Sequence, residues 1–324
     1  MKVISLFSGA GGLDLGFQQA GFEIPWANEY DSSIWETFRY NFPNTVLNTR
    51  DLSTVSALEI PDCDGIIGGP PCQSWSEGGS KRGINDKRGK LFFEFIRILN
   101  AKKPKFFLAE NVEGMLAKRH EEALTQIKDL FREAGYTLYF QLVNAKTYGI
   151  PQDRKRVLFV GIRNDLGITF EFPKPAKEIV TLKDAIWDLK DSAVAEGETP
   201  TIPNHEYHVG GFSSRYLSRN RVRAWDEPSF TIQASGRHAP IHPSSPKMEK
   251  FGKDCFRFTT TDYRRLSVRE CARIQTFPDN FIFKYEHIND GYKMVGNAVP
   301  VKLAYIIANM LSVKLTTNEN TSIV

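Results

Sequence analysis

The first 165 residues alternate short apolar runs with amphipathic stretches, and this alternation restricts the fold more than any other feature of the chain. Apolar runs at 3–7, 24–29, 64–68, 105–110, 137–144 and 156–162 read as strands. The stretches between them, near 12–21, 31–41, 89–101 and 120–134, carry helical spacing. Asp31-Ser32 suits a helix start, because a side-chain oxygen there accepts from the unpaired N–H groups of the first turn. Strands that alternate with helices build βαβ units, so the expectation is an α/β, Rossmann-like domain around a mostly parallel sheet.

From about 170 to 262 the pattern changes to a stretch rich in Pro, Ser, Thr and Arg. Only 181–190 keeps helical spacing there, and Ser229–Ala234 reads as a short strand. Helix-like spacing returns at Arg264–Gln275, and Val301–Val313, after Pro300, reads as an apolar helix that packs back on the first domain. Residues 314–324 read as a frayed polar tail. A chain of 324 residues has room for one large domain and a smaller one. The expected division is 1–177 with 264–324 as the large domain and 178–263 as the smaller, irregular one.

No run approaches the ~20 apolar residues of a membrane span, and the N-terminus enters Val3–Phe7 without a secretory pattern. The four cysteines, at 63, 72, 255 and 271, form no Cys-x-x-Cys pair, so free thiols in a reducing compartment are expected. The close histidine pairs, 205/208 and 238/242, lack cysteines or acids at metal spacing, so no metal is expected. Together these readings point to a cytoplasmic protein away from membranes. Residues 201–275 hold 13 Lys+Arg against 7 Asp+Glu, which leaves −2 of the total +4 for the rest. A basic segment on a near-neutral body suits a polyanion-binding module, although a solvated mixed-charge surface would read the same way.

Chemistry-bearing residues gather where the strands end. Gly68-Gly69-Pro70-Pro71-Cys72-Gln73-Ser74-Trp75-Ser76 follows an apolar strand, and two prolines stiffen the backbone that presents the thiol. A thiol on such a loop suggests a nucleophile rather than a buried structural cysteine. Phe7-Ser8-Gly9-Ala10-Gly11-Gly12-Leu13-Asp14 leaves the first strand and opens the first helix. A dinucleotide fingerprint would want a third glycine where Asp14 stands. The Asp14 carboxylate suits a cationic amino-acid moiety better than a pyrophosphate. Glu29 ends the second strand, where an acid can hold ribose hydroxyls, and Asp51 lies in the next loop, where it could face an adenine edge. Together these suit an adenosyl cofactor without phosphates, though singly each reads more readily as a turn or cap residue. Glu110-Asn111 ends another apolar strand, leaving a partly desolvated carboxyl able to donate a proton, unless the pair is a helix cap. Arg154 and Arg156 alternate on one strand, so two guanidiniums could converge on one anion or carbonyl, or simply begin a charged strand.

The residues match a known family. In order come FSGAGGLDLGF (7–17), Glu29, Asp51, GGPPCQSWS (68–76), RGKLFFEFIRIL (88–99), AENV (109–112), QDRKRVLFVGI (152–162), RRLSVRECARIQTFPD (264–279) and GYKMVGNAVP (291–300). The chain resembles the bacterial cytosine-C5 DNA methyltransferases of restriction–modification systems, from about residue 3 to 310. It is locally most similar to the members that modify GGCC, although His238-Ala239-Pro240-Ile241-His242 departs from them.

The resemblance implies a Rossmann-like methyltransferase domain that uses S-adenosyl-L-methionine, and a target-recognition domain at 178–263 that reads double-stranded DNA. It implies a monomer working beside a cognate restriction endonuclease. Carried over by position, Cys72 is the nucleophile at cytosine C6, Glu110 contacts N3 and the 4-amino group, and Arg154 and Arg156 hold O2. Phe7, Gly9, Gly11, Leu13, Glu29, Tyr30, Asp51, Pro70, Leu91, Asn297 and Val299 are implied for the cofactor. Ser76, Arg82, Arg219, Arg221, Arg223, Gln233, Arg237 and His238 are the expected DNA contacts, arginine on guanine being the commonest specific pairing. Residues 78–83 read as a loop that closes on the DNA. Thiolate addition at C6 makes C5 electron-rich, and a stacked base cannot be reached without flipping. Two rivals are a tRNA cytosine-5 methyltransferase, whose target domain would be shorter and less arginine-rich, and a catalytically silent DNA-binding protein on the same scaffold.

Overall fold

The computed structural model describes residues 1–70, 89–176 and 178–321, and within them the alternation becomes one seven-stranded sheet. Its strands are β1 (Lys2–Leu6), β2 (Glu23–Asn28), β3 (Val46–Asn48), β4 (Gly65–Gly68), β5 (Phe106–Val112), β6 (Tyr136–Asn144) and β8 (Lys155–Arg163). The order across the sheet is β3-β2-β1-β4-β5-β8-β6. β8 pairs antiparallel with both β5 and β6, and the other pairs are parallel, so β8 alone runs backwards. From β1 the chain first builds outward through β2 and β3, then crosses to β4 on the other side of β1. The carboxyl ends of β1 and β4 are therefore the point where connections diverge, and such a point leaves a crevice.

Strict alternation along the central strands sorts side chains onto two faces. Ile4, Leu6, Ile66, Phe107 and Ala109 pack on one face with Phe95 and Ile98 of α3 (Gly89–Lys102) and Phe131 of α4 (Glu121–Glu133). Val3, Ile67, Phe106 and Leu108 pack on the other with Leu13 and Phe17 of α1 (Gly12–Gln19) and with Leu303, Ile307 and Leu311 of α8 (Val301–Thr321). Burial on both faces explains why these strands read as continuous apolar runs. A third core joins Ala10 and Ala27 with Ile34 and Phe38 of α2 (Ser32–Asn41), Cys271 and Ile274 of α6 (Val268–Ile274), and Tyr292 and Val295 of α7 (Ile288–Asn297). Ile232, and Leu182 and Ile186 of α5 (Leu182–Ile186), belong to that core as well. A small fourth core, Tyr216, Val222, Ile241 and Met248, lies wholly within 178–263.

Several expectations change. β3 and α7 were not legible as elements. Helical backbone at 181–190 consists of α5 and a 3-10 turn at Trp187–Leu189. Arg264–Gln275 is helical only from Val268, because Ser267 caps the helix: its hydroxyl accepts from Glu270 N while the Glu270 carboxylate accepts from Ser267 N. The expected strand at Ser229–Ala234 is limited to β11 (Ser229–Phe230), which pairs parallel with β7 (Gln152–Asp153). The frayed tail expected at 314–324 is corrected over 314–321, since α8 continues to Thr321, and 322–324 lie outside the described residues. Leu315 extends the buried row of Leu303, Ile307 and Leu311 by one more turn, and Thr316 and Thr317 hydroxyls donate back to the carbonyls of Ser312 and Val313.

Candidate active site

A cavity of about 610 Å³ opens at the carboxyl edge of the sheet. β1 delivers Phe7 and Gly9 to it, β2 delivers Glu29, the turn after β3 delivers Asp51, β4 delivers Pro70 and β5 delivers Glu110. Because β8 is reversed, its first residues reach the same edge, which brings Arg156 to the cavity. Leu13, Tyr30, Leu91, Arg154, Asn297 and Val299 complete the expected set found on its lining. Gly11 is not among the lining residues. Its φ of 90° starts α1, and a Cβ there would lie 2.2 Å from Cε2 of Phe42, so its role is to let the ring pack against the turn.

Gly9 sits at φ 55° with open space where a Cβ would stand, so the turn presents bare backbone to the cavity. Glu29 fixes this turn: Oε2 accepts from Gly9 N at 2.8 Å and Oε1 from Asp31 N at 2.8 Å. Burial pushes the Glu29 carboxyl above its usual range, which favours further donors such as hydroxyls on its remaining lone pairs. Asp51 uses Oδ1 to accept from the backbone N and hydroxyl of Ser53, so it is oriented as a cap at the cavity rim. The expectation for Asp14 is overturned. It is fully buried in α1 beside Ser5 and absent from the cavity lining. Burial raises its pKa to about 7.

At the opposite end of the cavity, Arg156 Nε lies 2.7 Å from Glu110 Oε1. In the β5–β8 ladder Arg156 faces Val112, which places it diagonally beside Glu110 on the same face. A Cβ on Gly69 would sit 3.5 Å from Glu110 Oε2, and Asn111 Nδ2 donates to the Pro70 carbonyl at 3.3 Å. The backbone leading toward Cys72 is thus tied to the end of β5 beside the acid. Cys72, Ser76, Arg82 and the expected loop at 78–83 lie outside the described residues. Arg154 and Arg156 do not converge on one group as expected. Arg154 interrupts the strand between β7 and β8, and its guanidinium donates to the carbonyls of Ile232, Gly296 and Ala298.

A second cleft, of about 270 Å³, is lined by Arg219, Arg221, Arg223, Gln233 and His238, with Asp153 at its edge. Its arginines are not equivalent. Arg221 donates to the carbonyls of Tyr216 and Arg215 and lies over the Tyr216 ring. Arg223 pairs with Glu227 and stacks on Phe230. Arg219, Gln233, Arg237 and His238 are exposed.

Comparison with known proteins resolves what this arrangement belongs to. Residues 1–312 match the model of the C-5 cytosine-specific DNA methylases. Type II methyltransferase M.NgoPII of Neisseria gonorrhoeae is 57% identical over 321 residues, covering 95% of this chain and 94% of that protein. Type II methyltransferase M.FnuDI of Fusobacterium nucleatum is 56% identical over 332 residues, covering 98% and 96%.

The chain belongs to the C-5 cytosine-specific DNA methylase family.

The methylase also resembles a solved prophage-encoded DNA modification methyltransferase candidate from E. coli, with TM-score 0.77 and 26% identity over 98% of this chain and 99% of that one. Entamoeba histolytica methyltransferase EhMeth, at TM-score 0.72 and 18% identity over 98% of each chain, shares the fold. The methylase is a DNA (cytosine-5-)-methyltransferase. Sequence reasoning missed three of its buried polar residues, Asn111, Gln152 and Gln275. Asn111 stood inside the AENV motif and Gln152 and Gln275 inside two others, but nothing in a motif tells a polar side chain that meets substrate from one that holds backbone.

Proposed function

We propose that this methylase flips a cytosine out of a short G·C-rich duplex, with Cys72 attacking C6 and Glu110 and Arg156 gripping the ring. The observation that carries the reading is the Glu110–Arg156 pair, set in the cavity beside the Gly69-Pro70 backbone that leads to Cys72. Pro70, on the cavity lining, stands two positions before Cys72 in the sequence, which supports a role for that thiol at a base held there. Glu110 Oε2, the oxygen not paired with Arg156, would meet N3 and the 4-amino edge. Protonation at N3 draws charge from the ring as the thiolate adds, and the adjacent guanidinium suits the O2 oxygen. Arg154, bonded to three carbonyls, holds backbone rather than base. Once C5 carries the methyl group, a base takes the C5 proton, the C6–S bond breaks to release the Cys72 thiolate, and N3 returns its proton to Glu110, which restores the ring.

The cavity fits S-adenosyl-L-methionine. Glu29 would take ribose hydroxyls, Asp51 and Tyr30 the adenine, and the open Gly9 turn the remainder, with Leu91, Asn297 and Val299 packed around it. When bound, this cofactor supplies an electrophilic methyl group on a sulfonium. No cluster of backbone donors suited to a pyrophosphate is needed, in keeping with Gly9 being open while Gly11 and Gly12 of the same turn are packed.

Residues 178–263 would form the target-recognition domain, with GGCC as its site. GGPPCQSWSEGG and the SRNRVRAWDEP and QASGR stretches are the local features that support GGCC. A partner restriction enzyme, a cytoplasmic location and a monomeric state complete the reading. The deciding experiment incubates duplex DNA with radiolabelled S-adenosyl-L-methionine and maps 5-methylcytosine by bisulfite sequencing. Label confined to one cytosine of GGCC supports the reading; label in tRNA but in no duplex overturns it. Cys72→Ala should end transfer while duplex binding persists.

A further inference from the structure

We propose that Gln152 and Gln275, with Arg154, form a buried clasp that couples occupancy of the recognition cleft to occupancy of the cofactor cavity. The inference rests on the two sites being those for DNA and for S-adenosyl-L-methionine.

The clasp begins at the recognition side. β11 lies along β7, Ser229 N donates to the Pro151 carbonyl at 2.9 Å, and the Thr231 hydroxyl donates to the Asp153 carbonyl at 2.6 Å. Ile232 is held at both ends: its N–H donates to Gln152 Oε1 at 2.9 Å and its carbonyl accepts from Arg154 Nη1 at 3.1 Å. Gln152 then passes the connection inward, donating from Nε2 to Gln275 Oε1 at 2.7 Å. Gln275 spends its own amide on the carbonyls of Val295 and Ala298, at 2.7 and 3.0 Å. Arg154 Nη2 reaches the carbonyls of Gly296 and Ala298, at 3.1 and 3.0 Å. Gln152 and Gln275 are completely buried and Arg154 is 1% exposed.

The two ends of this chain of bonds are functional surfaces. Thr231 and Gln233 line the recognition cleft, while Gly296, Ala298 and Val299 line the cofactor cavity. They also touch directly. A Cβ on Gly296 would lie 2.3 Å from the Gln233 carbonyl carbon and 2.5 Å from Ala234 N, so one peptide rests on the other. Polar groups this deep cannot trade a lost partner for water, so a shift in one segment must be met by the rest of the network. Neither glutamine faces either ligand. Both are positioning residues, and their effect should appear in the coupling between ligands more than in either affinity alone.

The test is a thermodynamic cycle with S-adenosylhomocysteine, which binds without turnover, and a duplex carrying the mapped target. Kd for S-adenosylhomocysteine is measured by calorimetry with and without saturating duplex, and Kd for the duplex with and without S-adenosylhomocysteine. Wild type should show about tenfold mutual tightening. Gln152→Met leaves Gln275 bonded to Val295 and Ala298 but cuts the bridge to Ile232. It should keep each single-ligand Kd within about threefold while the tightening falls to roughly twofold or less. A loss that is merely structural would lower thermal stability and weaken both ligands, leaving the ratio intact. Thr231→Val, a milder cut on the recognition side, should lower the tightening partway and serves if Gln152→Met does not fold. Unchanged tightening in these variants, or none in wild type when both ligands bind, overturns the clasp alone. Failure of wild type to bind either ligand overturns the clasp together with the assignment of the two sites.

Discussion

Arg156 Nε and Glu110 Oε1 stand 2.7 Å apart at the cavity end of β8, which runs against both of its neighbours, β5 and β6. The reversal is what makes the pair. In a fully parallel sheet the start of β8 would lie at the amino edge, remote from the end of β5. Pairing β8 antiparallel to β5 sets Arg156 opposite Val112 and one diagonal step from Glu110, with both side chains largely withdrawn from water. A carboxylate and a guanidinium in such a site orient each other before any substrate arrives.

Glu110→Gln should therefore separate chemistry from binding. The amide keeps the shape but cannot supply a proton to N3. Single-turnover methyl transfer should fall by roughly 10²- to 10⁴-fold. Duplex Kd should stay within about threefold, since an interaction made in the transition state is the one removed. A variant with normal single-turnover rate would remove Glu110 from the reaction.

Asp14 gives the fold a pH dependence unrelated to catalysis. Its carboxyl, near 3.8 in an unfolded chain, is pushed to about 7 by burial in α1. The folded state thus holds the proton more tightly. Stability contributed by the protonated group is complete below about pH 4, declines as pH rises toward 7, and is gone above it. The charged form then costs on the order of 4 kcal/mol. Asp14→Asn cannot ionise, so its melting temperature relative to wild type should climb between pH 5 and pH 8. Parallel melting curves across that range would show that Asp14 titrates alike in the folded and unfolded chain, so that burial does not hold its proton.

How the sequence came to announce some of this and conceal the rest follows from what each residue packs against. Strands buried on both faces declare themselves as apolar runs, which is why six of the seven in the main sheet were legible. β3 is three residues long with an exposed Val46 at its start, too short to show a period. α7 starts at Ile288 after His287, which makes no side-chain cap, and it carries two glycines, so its start had no local signal. Glu29 and Asp51 were legible because acids stand at strand ends there, whereas Leu13, Tyr30, Leu91, Asn297 and Val299 came only from the resemblance, since their types carry no signal of a site. Asp14 and Arg154 misled for one reason: a charged side chain inside a motif reads as a ligand contact, whereas burial had turned both toward the protein. Gly11 misled similarly, since a glycine can admit a ring as readily as a ligand.

The recognition arginines should divide by what already holds them. Arg219 and Arg237 are exposed, whereas Arg223 is paired with Glu227 and stacked on Phe230. Arg219→Ala and Arg237→Ala should each cost about 1–3 kcal/mol of discrimination against a wrong base and leave thermal stability near wild type. Arg223→Ala should instead lower the melting temperature, because it uncovers the Phe230 face and leaves Glu227 without its cation. Competition binding with single-base variants of the target, alongside melts, checks both halves. If Arg223→Ala alone relaxes specificity, the exposed pair is not the reader.

The end of α8 offers a clean test of the corrected C-terminus. Leu315 is 2% exposed and lies one helical turn beyond Leu311 on the row that covers α1 and the sheet. Ending the chain after Val313 removes that side chain, and burying a leucine is worth about 1.5–3 kcal/mol. Ending it after Thr317 keeps Leu315 and the turn that holds it. The shorter chain should therefore unfold at lower denaturant with little change in slope, and the longer one should match the full chain. A freely frayed tail predicts no difference between the two, and equal midpoints in urea would mean that the buried row ends at Leu311.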